Sequence, residues 1–386
     1  MTVYLSSPRI RFDRNELAGS FGDIGTDLPL ILAMIAAAGL DGATVFVVFG
    51  TLQILTGLVY GLPMPMQPLK AMAVLIITQK ITGDVIFGGG LAIAAMMLAL
   101  SVSGALTWLA RVIPRAAVRG IQLGLGLSLA SLALKEYVPS LGVSGYALAA
   151  ICFVVVILLR DNRHVPAALV VIAVGLVYAA FLMINWADVQ FASTLTIPEF
   201  RIPTLDAVWT GLLVLALPQL PLSLSNAVIA TNQTLRDLFP DRTISVKRIG
   251  LTYGVANTFA SVFGGIPVCH GCGGLAGHYA FGARTGGSVI IYGLAYIIIG
   301  LAFGSSMEAL VAAYPLPVLG VILLFEAVAL MALIRDTAAE PRQFMIVLLV
   351  GAIAFGVKHG FIIGLVVGAL LCGLWRDRQA GKSGRQ

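Results

Sequence analysis

Two stretches decide the fold: Pro63-Met64-Pro65-Met66-Gln67-Pro68-Leu69-Lys70, and Gly264-Gly265-Ile266-Pro267-Val268-Cys269-His270-Gly271-Cys272-Gly273-Gly274. Each interrupts a long apolar run. The clustered prolines of the first disfavour a helix and favour extended backbone. Pro68 can then serve as an early residue of a half-helix that follows. The glycines of the second let a ligand approach backbone N–H groups closely. Non-helical backbone at membrane depth is tolerated only where it is buried in protein or lines a water-filled cavity.

The rest of the chain supplies that membrane context. Of 386 residues, 59% are hydrophobic and 11% charged, against roughly 25% charged in soluble proteins. Mean hydropathy is +0.98, and apolar runs long enough to cross about 30 Å of hydrocarbon recur throughout. This composition excludes a soluble enzyme, a nucleic-acid binder and a peripheral protein. The fold class expected is an all-α polytopic membrane protein. Cys152, Cys269, Cys272 and Cys372 lie in or beside apolar stretches and make no disulfide framework. The start, MTVYLSSPRIRFDRNEL, lacks the apolar core of a secretory signal and reads as a cytoplasmic tail.

Gly, Pro and charge punctuation divides the chain into about fourteen segments, near residues 16–40, 42–61, 66–80, 84–111, 114–136, 143–159, 166–185, 206–233, 246–264, 270–283, 285–304, 315–334, 343–357 and 359–375. The third and tenth are too short to span as plain helices. With the N-terminus cytoplasmic, alternation puts 19 of the 24 Lys and Arg inside, among them Arg9, Arg111, Arg160, Arg163, Arg242, Lys247, Arg248 and Arg385. Lys80, Lys135, Arg201 and Lys358 fall outside, and Lys70 lies within a span. That bias is the positive-inside signature, and it places both termini in the cytoplasm.

The segments split seven plus seven around ASTLTIPEFRIPTLD. Each half opens on a Pro-interrupted span, GDIGTDLPLILAM or LALPQLPLSLSNAVIATN, and reaches a Pro-containing break after its second span. An odd number of spans per half inverts one half relative to the other. Paired Gly/Pro-interrupted segments in such repeats point to a transporter's binding site.

Two half-helices starting mid-membrane in opposite orientations would aim their N-termini at each other. Each contributes free N–H donors and about half a positive charge. With Lys70 in the first turn of one of them, the site would carry roughly +2 and match a dianion. Lys70 could also salt-bridge to Asp23 or Asp27, which stand i,i+4 and would share a helix face, and the two readings are compatible. Asp27 could also cap a restarted helix; as a functional pair the two acids would form a proton or cation site. Glu326, isolated in VILLFEAVALMAL, suits a proton relay or a pairing across helices. Gln219, Ser223, Ser225, Asn226 and Asn232 give segment eight polar groups without a carboxylate, which suits an anion. Cys269, Cys272, His270 and His278 contain the donor types of a metal site, but their spacing is far tighter than in zinc modules. No metal, cofactor or catalytic arrangement is expected.

FGDIGTDLPLILAM, PMPMQPLKAMAV and PVCHGCGGLAGHYAFGARTG resemble the signature segments of the molybdate transporter family, a distant branch of the sulfate permease (SulP) superfamily. The resemblance covers most of the chain and implies the uracil-permease type of fold. Residues 1–112 and 206–305 would form a core domain, 113–190 and 306–376 a gate, 191–205 a linker and 377–386 a cytoplasmic tail without a regulatory STAS domain. It further implies molybdate bound by Gln67, Lys70, Cys269, His270, Gly271, Gly273 and Gly274. Asp23, Thr26 and Asp27 would line the site from segment one, and Asn226 from segment eight. Moving a dianion into a negative cytoplasm costs about 4.6 kcal/mol per 100 mV, at about 2.3 per charge. Symport with a cation, most simply H+ carried on Asp23, Asp27 or Glu326, is therefore expected, with the protein in the cell (inner) membrane. The alternative reading is a sulfate or general oxyanion transporter, with tungstate a further candidate substrate; a homodimer is compatible with the wider superfamily, and an anion channel or a thiol or metal enzyme are the readings of other classes.

Overall fold

The computed structural model describes residues 10–106, 108, 114–159, 167–186, 189 and 197–383. Arg9, Arg111, Arg160, Arg163 and Arg385 lie outside these, as do residues 191–196 of the linker. In chain order the helices are α1 (Arg14–Ser20), α2 (Ile24–Ala38), α3 (Gly42–Tyr60), α4 (Lys70–Gln79), α5 (Gly83–Val102), α6 (Arg115–Leu132), α7 (Gly142–Leu159), α8 (Ala167–Tyr178) and α9 (Leu205–Leu238). They continue as α10 (Val246–Val262), α11 (Cys272–Ala280), α12 (Gly287–Phe303), α13 (Met307–Ala313), α14 (Leu316–Ala332), α15 (Pro341–Gly356) and α16 (Gly360–Ser383). The strands β1 (Gln67–Pro68) and β2 (Val268–Cys269) precede α4 and α11.

Among the described residues, five helices are long and apolar enough to cross a membrane, or up to seven if two bent pairs each count as one span. One such pair is α1 with α2, bent by 41° where the sequence suggests a single first segment. Gly22 lies at that bend, where its backbone packs against Gly277 too closely for a side chain. The other is α12 with α13, bent by 107°, and α13 lies between the eleventh and twelfth apolar segments, where the sequence marks no element. Segments five and six run as one helical stretch, Arg115–Leu159, through a π turn and a 3-10 turn that carries Pro139. In α9, π turns at Leu212–Ala216 and Ser223–Ala230 flank Pro218 and Pro221. Extra-wide turns re-satisfy backbone groups that a proline leaves without a partner.

Two helix pairs dominate the packing around the breaks, α3 with α12 and α5 with α10. In the first, Gly50 lies against Gly293 and Gly57 against Gly286, so close that a Cβ on any of the four would meet facing backbone. Small residues at matched heights let membrane helices approach in this way. The buried Glu16 holds α1 to the start of α12, accepting the N–H groups of Arg284 and Thr285 at 2.9 Å and of Ser288 at 3.1 Å.

Candidate functional site

The breaks meet each other. β1 and β2 pair antiparallel, Gln67 opposite Cys269 and Pro68 opposite Val268, and the Leu69 N–H donates to the Pro267 carbonyl at 3.0 Å. Two buried amides finish the backbone accounting. Gln53 of α3 donates to the Met66 carbonyl at 2.6 Å and accepts the Met66 N–H at 2.9 Å. Asn257 of α10 treats Val268 the same way, at 2.6 and 2.9 Å. An unpaired polar backbone group in this apolar interior would cost several kcal/mol. The amides therefore fix where α4 and α11 begin.

A cavity of about 190 Å³ opens beside this junction, lined by Gln67, Lys70, Gln122, Gln219, Asn226, Cys269, Cys272, Gly273, Glu326 and apolar residues of α9 and α14. Three larger cavities lie elsewhere, and none of them is lined by Lys70 or by the strand pair. Lys70 and Glu326 form an ion pair at 3.3 Å. Glu326 also accepts from the Thr26 hydroxyl at 3.0 Å, so one carboxylate ties α14 to both α2 and α4. The salt bridge of Lys70 is thus to Glu326, rather than to Asp23 or Asp27.

The two aspartates stand behind the cavity. Asp23 accepts from the Gln67 amide at 2.6 Å, and its carboxylate lies against Gly274 where a Cβ would sit. Asp27 is fully buried. One of its oxygens accepts from the Tyr292 hydroxyl at 3.4 Å, and the other has no hydrogen-bond partner. Gly271 leaves room for the carboxamide oxygen of Gln67, whereas a Cβ on Gly273 would point into open space. The His270 ring is fully buried and occupied elsewhere. It is in hydrogen-bond contact with Thr252 at 2.8 Å and the Pro65 carbonyl at 3.3 Å, and meets Tyr60 edge-on.

Of the residues singled out in the sequence, Gln67, Lys70, Gln219, Asn226, Cys269, Cys272, Gly273 and Glu326 therefore line the cavity. Thr26 and Asp23 are one hydrogen bond behind it, and Asp27, His270, Gly271 and Gly274 do not line it. The Cys272 thiol donates to Asn226 at 3.1 Å. Among the described residues, no three His, Cys, Asp or Glu come together as a metal-ligand set.

Gln219 plays a part the sequence did not indicate. Its carbonyl accepts the N–H groups of Ala71 at 2.9 Å and Met72 at 3.2 Å, and its amide nitrogen donates to Ser223 at 3.1 Å. The N-terminus of α4, expected to be open, is thus capped by a neutral side chain. Gln122 went unnoticed in the sequence; the signal was a lone amide in the apolar, glycine-rich run GIQLGLGLSL. It accepts from Arg119 at 2.8 Å, and the Arg119 charge pairs with Asp336.

A lysine, several amides and the first turn of α11 converge on a small cavity between apolar helices, a candidate polar-ligand site. The family model described as "Molybdate transporter of MFS superfamily" matches residues 15–129 and 211–330. "Molybdate transporter 2" of Arabidopsis thaliana is 33% identical, over 92% of this chain and 87% of the relative. The transmembrane domain of the cyanobacterial bicarbonate transporter BicA aligns with a TM-score of 0.66 at 17% identity, covering 93% of this chain and 96% of that one. Murine solute carrier 26 family member A9, an anion transporter solved in its inward-facing state, gives 0.73 at 14% identity, over 95% and 69%. The chain belongs to the molybdate transporter family, on a fold shared with these SLC26/SulP-type proteins. It is a membrane transporter and not an enzyme.

Proposed function

We infer that this protein imports molybdate across the cell membrane by alternating access, with the dianion bound in the Lys70 cavity. The observation that carries this reading is the placement of Lys70 at the first turn of α4, facing a cavity that α11 also enters with Cys272 and Gly273 at its own first turn. A lysine charge, the α11 dipole and neutral donors from Gln67, Gln122 and Asn226 suit a tetrahedral oxyanion. The fourteen-segment inverted repeat is supported by the matched amide clamps: each grips the residue at the same distance ahead of its half-helix, Met66 before Lys70 and Val268 before Cys272. A core of segments 1–4 and 8–11 moving against a gate of 5–7 and 12–14 would carry the site intact. In that division Glu326 belongs to the gate and Lys70 to the core.

The orientation is supported by contacts between like-assigned residues. Arg115 pairs with Asp336 at 2.5 Å and Arg248 donates to the Val59 carbonyl at 2.7 Å, all assigned to the cytoplasmic side. Lys80 meets Glu136 at 3.8 Å on the opposite side. Inward movement of two negative charges opposes the membrane potential by about 4.6 kcal/mol per 100 mV, so coupling to a cation, H+ in the simplest case, completes the cycle.

Calorimetry of molybdate binding to the purified protein tests this, with sulfate, tungstate and uracil as competitors. Tight binding that sulfate displaces only in large excess is expected. Equal competition by sulfate would make the protein a general oxyanion carrier, and absence of oxyanion binding would overturn the site.

A further inference from the structure

We propose that Glu326 is a built-in counter-anion: it holds Lys70 while the site is empty, and it takes up a proton when the dianion arrives. The inference rests on the binding site proposed above and names the group that couples it to protons. The geometry is specific. Glu326 lines the same cavity as Lys70 and divides its two oxygens between Lys70 at 3.3 Å and Thr26 at 3.0 Å.

Those contacts make the lysine and glutamate charges cancel in this structure. A dianion approaching Lys70 must come close to an ionised carboxylate already engaged there, and like charges at such range disfavour each other's ionised forms. Among the described residues, no arginine or second lysine lines the cavity to absorb the excess. At the start of α2, Asp23 and Asp27 stand behind the cavity, bonded to Gln67 and Tyr292; Cys269 and Cys272 line it from the second break and α11, and Lys70 from α4. From α6, Arg119 stands behind Gln122 with its charge taken by Asp336. Apart from Lys70, none of the groups lining the cavity brings a positive charge. One proton from the aqueous side, bound to the Glu326 carboxylate, converts it to a neutral acid. This frees Lys70 for the oxyanion and leaves an O–H that can donate to it.

The same step unlatches the molecule. Glu326 ties α14 to α2 and α4, so substrate and proton together would release the contact that holds core against gate. Neither alone would do so, because the proton without the dianion leaves Lys70 without a counter-charge, and the dianion without the proton meets Glu326.

Calorimetric titration of the full chain with molybdate, in buffers of different ionisation enthalpy between about pH 6 and about pH 8.5, reads the proton directly. Uptake approaching one proton per molybdate is expected. Linkage then makes affinity fall with rising pH, by up to roughly tenfold per unit where Glu326 is ionised in the empty protein. Glu326→Gln should abolish both the buffer-dependent heat and the slope, and should bind more tightly than wild type at the alkaline end. Glu326→Asp should keep the slope. Molybdate binding by wild type with no proton uptake across that range overturns the proposal without needing any variant, as does a slope retained in Glu326→Gln. No molybdate binding by wild type at any pH would instead overturn the oxyanion site itself.

Discussion

Lys70, Gly271 and Gly273 separate three kinds of contribution that one residue makes to this site. Lys70 contributes charge. Lys70→Ala would strand Glu326 without its partner and remove the cation facing the ligand, and losing one member of such a pair costs about 2–5 kcal/mol. Molybdate affinity is expected to fall by about a hundredfold or more in an equilibrium binding assay. The two glycines contribute space of different kinds. Gly271→Ala collides with the Gln67 carboxamide, and overpacking of this sort costs about 1–3 kcal/mol, visible as a lower thermal midpoint with or without ligand. Gly273→Ala meets nothing within 4 Å. Its stability should therefore stay within about 0.5 kcal/mol of wild type while molybdate binding weakens, because the new methyl occupies ligand space. If both alanine variants lost stability equally, the division between structural and ligand-facing glycine would fail.

At the scale of elements, the half-helices are held from behind by side chains of their neighbours. Gln53 and Asn257 each satisfy one backbone donor and one acceptor in a buried break. Gln53→Leu or Asn257→Leu leaves two such groups unsatisfied at about 1–3 kcal/mol each, so destabilisation of about 2–6 kcal/mol is expected in denaturation measurements. The matched positions predict similar losses for the two variants. Much of this architecture was legible in the sequence, because proline clusters and glycine runs are local signals that stop helices regardless of partners. The strand pairing was not, since two-residue strands carry no periodicity and their partners lie far apart in the chain. The amide clamps left a faint trace: a single amide, Gln53 or Asn257, in each of the two spans that precede a break. Nothing local told Gln219, the cap of α4, from the ordinary interhelical glue of membrane proteins, nor chose Glu326 over two nearer aspartates as partner of Lys70. Those choices are made by which helices pack together.

For the whole molecule, the proposed orientation sorts cations by side, and chemical labelling can read it. Lys247 and Lys358 are both exposed and are assigned to opposite faces. A membrane-impermeant maleimide applied to intact cells should modify Lys358→Cys above the background of the native cysteines and leave Lys247→Cys at that background until the cells are permeabilised. The reverse pattern would invert the assigned topology. The pairing of β1 with β2 has a consequence of another kind, for how the protein is made. Residues that touch across the breaks, such as Pro65 and His270, are 205 positions apart. At a synthesis rate of about 5–20 residues per second, the first break waits on the order of ten to forty seconds in the translocating membrane before its partner emerges. Throughout that interval the nascent first half holds three prolines and a lysine at membrane depth with no mate from the second. The proposed ligand site is therefore completed only late in synthesis, and a chain truncated midway holds Gln67, Lys70 and Gln122 without Asn226, Cys269 or Glu326.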